Sequence, residues 1–402
     1  MKKLLRWVGR IPVRILRLLP ISSEIIGPPK GYYRSSHTWI NASQTTREPG
    51  WSHEIYPKRN IRVVEPKTVD SEIHWRFKVN PQFESPPAYL FTIPKGRLWQ
   101  FNTVISPNDR LLADLSHEYK VDEHPKYHPV FGEWKLPKIQ ECDKTLAVLS
   151  VAGGGTFAHW LLDLLPRLDL ILRKYDFDQI DQFVVNGVDL PFQKQTLDLL
   201  GIPSHKLLVS DRNFHLKATQ LIVPSLSRHV VGLTRWMPSW GCDFLRQSFL
   251  TNAKLAQHRN GDGNFDRIYI SRAKATRRKV VNEADVLHLL TKLGFRSVAL
   301  ESLSIAEQID LFASAKSIVA PHGAGLANLV FSSPGTKVVE FIAPNYVNVN
   351  FWALSNQANL DYHYLLGEGE RPEGNDYRHS YSDNITVNLD QLANTLDLAG
   401  IS

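Results

Sequence analysis

The chain has 402 residues, 43% hydrophobic and 22% charged, an ordinary globular balance with enough length for two domains with their own cores. With 47 Lys and Arg against 40 Asp and Glu, the formal charge is +7, which suits anionic partners; no zinc finger or RNA-binding pattern accompanies it, so nucleic acid ranks last among them. The 2 cysteines, Cys142 and Cys242, form no C-x-x-C, which argues against a disulfide framework or thiolate metal site and suits a reducing cytoplasm.

In Met1 to Pro20, Lys3, Arg6, Arg10, Arg14 and Arg17 recur every three or four residues, with Leu4, Leu5, Val8, Ile11, Ile15, Leu18 and Leu19 between them. No apolar run of about 18 residues exists to span a membrane, and charges interrupt any secretory core. The expectation is a basic amphipathic helix lying on an anionic surface, at the inner face of a membrane. Ser22 to Trp51 reads as an extended arm, so residues 1–50 form one segment. From Ile61 to Ser106, the runs Val63-Val64, Trp75 to Val79, Ala88 to Ile93 and Leu98 to Phe101 read as strands of a β-rich region, continued by a hairpin over Asp109 to Leu115. Trp99 and Trp134 are candidates for stacking on a sugar, against the commoner role of aromatics as core. His117, His124 and His128 match no metal-ligand spacing.

Thr145 to Val151 reads as a buried strand, followed by Gly153-Gly154-Gly155 and a long helix with the stripe Phe157, Trp160, Leu161, Leu164, Leu165 and Leu168. His159 and Asp163 fall one turn apart on another face, within side-chain reach. A carboxylate beside an imidazole orients it and favours its charged form, the arrangement a general base needs. His159 is therefore the leading base candidate and Asp163 its nearest rival. The same glycines match a dinucleotide fingerprint through Ala158, with Asp176 or Asp178 about 20 residues on, the signature of an oxidoreductase; however, those aspartates follow a helix instead of ending a second strand. Phe183 to Val185, Leu207 to Val209 and Thr219 to Pro224 are further strands, and the polar stretch His258 to Asn264 is the best linker. This makes 51–255 an amino-terminal lobe.

The remaining lobe, 265–402, is the most regular. Arg267 to Ser271 is a strand, and Arg272 to Lys279 packs 5 cations into 8 positions (Arg272, Lys274, Arg277, Arg278 and Lys279). Asn282 is placed to cap a helix over Ala284 to Leu293. Strand Ser297 to Leu300 follows, then a capping box, Ser304 with Glu307, opens a helix over Ile305 to Ala315. Ser317 to Ala320 is a strand that runs into Pro321-His322-Gly323-Ala324-Gly325-Leu326, and Lys337 to Ile342 is another. Beyond Pro344 the chain reads as less regular, with a polar surface loop over Gly367 to Asp383, a late strand over Ile385 to Val387 and a last helix capped by Asp390. Alternation at this spacing predicts βαβ units, a parallel sheet and a ligand beyond the strands' carboxyl ends, where the cationic loop and the His322 to Gly325 turn both fall. Cations and glycine-flanked amides suit a diphosphate. Arg272 is the first choice for the clamp, with Arg277 and Arg278 behind it; His322 would contact a phosphate or ribose, the amides of Gly323, Ala324, Gly325 and Leu326 the diphosphate, and Glu340 the ribose hydroxyls. The plainer role of Gly323 and Gly325 is a turn at positive φ.

Taken in order, Ser271-Arg272, Asn282-Glu283, Glu301, Leu303-Ser304, Glu307-Gln308-Ile309, His322 to Leu326 and Glu340 resemble the catalytic region of glycosyltransferase family 61. Gly155 to Trp160, Asp163 and Pro166-Arg167 resemble its upstream histidine motif, although this chain has Gly155 to His159 where the family often has Asn-x-x-His. The resemblance implies an α/β GT-B fold of two Rossmann-like lobes facing a central cleft. It also implies inverting transfer from a nucleotide-sugar, mostly a UDP-sugar in relatives, to a glycan or lipid-linked glycan, as in capsular or other cell-surface polysaccharide synthesis. Residues 265–402 hold no Asp-x-Asp pair that could bridge a metal and a diphosphate, so no cofactor or metal is expected. The alternative of a different class is a non-catalytic sugar- or lipid-binding protein on the same scaffold.

Overall fold

The computed structural model describes residues 27–43, 51–116, 124–231, 234–252, 265–371 and 383–401. The amphipathic segment 1–20, His117 and the linker 258–264 lie outside the described residues. No helix among those described is long and apolar enough to cross a membrane. The chain is α/β and divides into two compact units: residues 1–58, 86–193 and 201–227 form the first, and 59–85, 194–200 and 228–402 the second. The second unit thus takes segments that a linear division leaves with the amino-terminal lobe. Phe77 explains one of them: it is buried, stacks on Tyr364 at 4.4 Å and meets Trp352 edge-on at 5.4 Å. Arg246 explains another, donating to the carbonyls of Val330 and Ser332 at 2.9 and 2.6 Å.

The first unit is built on a mixed 10-stranded sheet. Its parallel part comprises Gln140–Val148, Gln182–Val185, Leu207–Val209 and His215–Pro224, the last beside the first. The chain moves outward from Gln140–Val148 on one side and returns on the other, so the connections reverse between Gln140–Val148 and His215–Pro224. Ala88–Pro94 and Arg97–Trp99 pair antiparallel with His215–Pro224, and Thr103–Ile105 and Arg110–Leu112 continue the meander. Trp99 is core, at 3% exposure, whereas Trp134 is exposed. Within the arm expected at Ser22 to Trp51, the described residues include a strand and a helix. Gly31–Tyr33 pairs parallel with Arg110–Leu112, and the helix Ser36–Ala42 follows, with Trp39 buried in the core.

The second unit holds a 5-stranded, all-parallel sheet with the spatial order Arg296–Val298, Arg267–Ile270, Ser317–Pro321, Lys337–Ile342, Asp361–Leu366. In chain order this is 2-1-3-4-5, a doubly wound sheet whose connections reverse between Arg267–Ile270 and Ser317–Pro321. Continuous burial of Ile268, Tyr269, Val319, Val338, Val339 and Phe341 is what a sheet covered on both faces requires. Ser304 and Glu307 form the expected capping box on the helix Ile305–Ser314.

Four local expectations are corrected. Asn282 precedes the helix Glu283–Lys292 but does not cap it; its amide pairs with the backbone of Val387, accepting at 3.0 Å and donating at 2.8 Å. Ile385 forms only an isolated bridge with Val280, and the last helix, Leu389–Leu398, is capped by Asn388 instead of Asp390. The region after Pro344 is regular, supplying the helix Asn350–Gln357 and the edge strand Asp361–Leu366.

Candidate active site

At the carboxyl end of Arg267–Ile270, burial and the following turn decide where the cations point. Arg272 donates from Nε to the carbonyl of Arg278 at 3.3 Å and from Nη2 to that of Arg277 at 3.0 Å. Two nitrogens are thus anchored on its own loop, and Nη1 is carried across to the neighbouring strand end. A Cβ built on Gly323 would lie 2.1 Å from that Nη1. Gly323 has φ −174°, an extended value open to any residue, so its glycine is required by the guanidinium above it and not by a left-handed turn. Gly325 is likewise a matter of space, since a Cβ there would lie 2.5 Å from Leu300 Cδ1.

Arg278 reaches the same turn from the other side. Its Nε donates to the carbonyl of His322 at 3.0 Å, and its guanidinium lies 5.8 Å from the Tyr346 ring. Burial, then the mutual repulsion of the cluster, lowers the Arg272 pKa to about 10, and burial lowers that of Arg278; both remain cations at neutral pH. An anion delivered here finds partly desolvated positive charge already in place, the condition under which charge-assisted hydrogen bonds are strongest. The Arg277 side chain is exposed, and its contribution to this geometry is the carbonyl that holds Arg272.

His322 and Glu340 meet because their strands are adjacent and in register, Ala320 opposite Glu340. His322 Nδ1 lies 2.5 Å from Glu340 Oε1, and Tyr362 donates its hydroxyl to Glu340 Oε2 at 2.5 Å. Glu340 is fully buried and both its oxygens are engaged. This differs from a carboxylate offered to ribose hydroxyls: Glu340 orients the imidazole instead. Burial and the adjacent Glu340 carboxylate push the Tyr362 phenol well up, so it stays a donor. Leu326 is core, and its amide closes the turn on the Gly323 carbonyl at 3.0 Å, which leaves the Ala324 and Gly325 amides as first-turn donors. Gln308, one of the residues that carry the resemblance in sequence, braces that turn. It donates to the carbonyl of Leu300 at 3.0 Å and accepts from Asn328, which also donates to the carbonyl of Gly325.

The first unit places His159 and Asp163 at the carboxyl end of Gln140–Val148, beside its connection reversal. His159 Nδ1 lies 2.5 Å from Asp163 Oδ2, with the ring partly exposed and the carboxylate mostly buried. The expected long helix is broken. Phe157–His159 is one α-turn, Trp160–Leu164 is a π-helical bulge in which Leu165 N donates to Trp160 O at 3.0 Å, and Pro166 precedes the helix Arg167–Leu172. Pro166 lacks an amide to continue the ladder, and such bulges recur at functional sites. Sequence reasoning missed Asn186, whose side chain accepts from Val151 N at 2.9 Å and donates to Val151 O at 2.8 Å. A Cβ on Gly154 would lie 2.1 Å from its Oδ1. A polar residue immediately after the run Phe183 to Val185 was the available signal. It also weakens the dinucleotide reading, which needs an acidic residue at that strand end. Among the described residues, no group of three or more His, Cys, Asp or Glu is placed to hold a metal ion.

Two predictions arise directly. In Gly323→Ala, the neighbour that must give way is the end of the Arg272 side chain, so affinity for a nucleoside diphosphate should fall about tenfold, the worth of one charged hydrogen bond. The melting temperature should barely change; equal affinity in calorimetry would dissociate Arg272 from the site. Glu340→Leu leaves His322 and Tyr362 buried opposite an apolar group, and should cost about 1–3 kcal/mol in urea unfolding.

The family model for Glycosyltransferase 61 matches residues 157–339, a span that contains His159, Asp163, Arg272, Arg278 and the His322–Gly325 turn and ends one residue before Glu340. The chain is 36% identical over 63 residues to a beta-1,2-xylosyltransferase of Oryza sativa subsp. japonica, covering 16% of this chain and 12% of the relative. It is 30% identical over 86 residues to a beta-1,2-xylosyltransferase of Arabidopsis thaliana, covering 21% and 16%. Each match therefore spans less than a fifth of the relative's length.

Proposed function

We propose that the chain, whose residues 157–339 match the family model for Glycosyltransferase 61, is an inverting glycosyltransferase that uses a UDP-sugar. The observation that carries this reading is the placement of Arg272, Arg278 and the His322–Gly323 turn at the connection reversal of the all-parallel sheet, where such sheets bind their ligands. We read the two units as the lobes of a GT-B transferase, the second taking the donor and the first the acceptor.

In this mechanism the acceptor hydroxyl attacks the anomeric carbon from the face opposite the diphosphate. His159 takes the hydroxyl proton as the new C–O bond forms; Asp163 on Nδ1 assigns that task to Nε2 and stabilises the imidazolium. The anomeric carbon–oxygen bond breaks and the electron pair leaves with the diphosphate. Arg272, Arg278 and the Ala324 and Gly325 amides take up that negative charge in place of a metal ion. His322, oriented by Glu340, donates to a phosphate or ribose oxygen. The acceptor is a glycan or lipid-linked glycan of a cell-surface polysaccharide, and the activity is cytoplasmic, with residues 1–20 on the inner membrane face.

The names of the relatives put UDP-xylose first in a donor panel, followed by UDP-N-acetylglucosamine. The test measures UDP release and the anomer formed on alkyl glycoside acceptors by proton NMR. Release with inversion supports the proposal; a product of retained configuration, or no release from any nucleotide-sugar, overturns it.

A further inference from the structure

Arg278 has an unusual backbone for its residue type. Its φ is 52°, in the left-handed region that a bulky L side chain enters only under constraint. Among the described residues of the second unit, Asn359 is the other non-glycine residue at positive φ, and it follows the helix Asn350–Gln357 as an ordinary helix-ending residue. Arg278 ends no helix; it stands in the cationic loop between Arg267–Ile270 and Glu283–Lys292. From there the carbonyl of Arg278 accepts from Arg272 Nε at 3.3 Å, while its own Nε reaches the carbonyl of His322 at 3.0 Å, at a different strand end. The guanidinium comes to rest over the ring of Tyr346, 5.8 Å from its centroid. Strained backbone of this kind persists where the surroundings over-determine it, and it clusters at ligand sites.

Tyr346 belongs to those surroundings. It lies in the loop after Lys337–Ile342, at the same carboxyl edge of the sheet as Arg272 and His322. Tyr346 N donates to the carbonyl of Ala343 at 3.0 Å, and Asn348 Nδ2 donates to the Tyr346 hydroxyl at 3.3 Å. Arg76 Nε fixes the next residue by donating to the carbonyl of Val347 at 3.2 Å. The half-buried Tyr346 ring also meets the His322 ring edge-on, with 5.8 Å between centroids, and His322 meets the Phe351 ring at 5.2 Å. Arg278 is thus fixed at its backbone, at Nε and over the face of a ring, the geometry a planar guanidinium favours.

We infer that Tyr346 is a positioning residue of the donor site that acts through Arg278. Its ring and the His322 carbonyl hold the guanidinium where the diphosphate arrives, and the left-handed backbone is what that aim requires. This role rests on the nucleotide-sugar reading above. A ring that stacked on the nucleobase would serve the same ligand by a different contact, and the two differ in whether Tyr346 matters once the Arg278 side chain is gone.

Calorimetry with UDP on a double-mutant cycle of Tyr346→Leu and Arg278→Gly makes that separation. Glycine accepts the left-handed backbone without strain, so the loop keeps its turn and its hold on Arg272 while the guanidinium is removed. Tyr346→Leu should weaken binding about three- to thirtyfold, the range of a cation–π contact, and Tyr346→Phe, which keeps the ring, should bind as the parent does. Arg278→Gly should weaken binding by about tenfold or more, and adding Tyr346→Leu to it should change nothing further. A tyrosine that is merely structural, or that touches the nucleobase, would weaken binding by the same factor in both backgrounds, and that result overturns the inference. Equal losses in Tyr346→Phe and Tyr346→Leu, or full affinity in Arg278→Gly or in Tyr346→Leu, overturn it as well. Where Tyr346→Leu does not fold by circular dichroism, Tyr346→Gln goes through the same cycle and is read by the same criterion. A parent chain that binds no UDP would sink the proposed function and the inference together, whereas additive losses in a chain that binds UDP remove the inference alone.

Discussion

His159→Ala should lower turnover by about 10²–10⁴-fold, the usual span for a general base, while affinity for the nucleoside diphosphate stays at the wild-type value. The two effects separate because the proposed base and the proposed diphosphate clamp belong to different compact units, His159 in the first and Arg272 and His322 in the second. The imidazole is partly exposed, so its truncation should leave the melting temperature near that of the parent. Asp163→Asn should fall between wild type and His159→Ala, since the amide keeps a hydrogen bond to Nδ1 but withdraws the charge that stabilises the imidazolium. Steady-state kinetics together with nucleotide calorimetry on the same preparations checks both statements. Normal turnover by His159→Ala would transfer the base role to Asp163 or elsewhere.

The second large effect belongs to Arg272. Arg272→Ala removes a preorganised cation whose Nε and Nη2 are already held by the carbonyls of Arg278 and Arg277, so the wild type loses little side-chain freedom on binding and the variant forfeits nearly the whole interaction. Charged hydrogen bonds contribute about 1.5–3 kcal/mol each, which puts the loss of nucleoside diphosphate affinity at roughly 10–150-fold for one such bond and higher for a bidentate contact. Arg272→Lys should recover only part of it, because an ammonium supplies charge without the fork that spans the loop and Gly323. If both variants bind as tightly as the parent, the clamp lies elsewhere in the cationic loop, with Arg278 next in line.

How far these sites were legible depended on the range of the contacts that make them. His159 and Asp163 are an i, i+4 pair, and spacing alone brought them together. The capping box at Ser304 and Glu307, and strands such as Lys337–Ile342, are equally local and were read with near-correct ends. The partnership of His322 with Glu340 requires the register of two strands, and the role of Gly323 requires knowing which side chain crosses over it from another strand. Neither is written in a window of neighbouring residues. Asp361–Leu366 was missed because Asp361, Tyr362, His363 and Tyr364 look polar in sequence, while in the sheet Tyr362, His363 and Tyr364 are buried. Asn282 shows the reverse error: a good capping residue at a helix start was recruited by the distant backbone of Val387.

The central claim is that cations of the chain itself bind the donor diphosphate at the second unit's sheet reversal. Calorimetric titration with UDP, repeated in EDTA, tests it most directly. The account predicts saturable binding that is unchanged by the chelator and sharply weakened in Arg272→Ala. Binding that disappears with EDTA, or silence toward every nucleoside diphosphate, would contradict it.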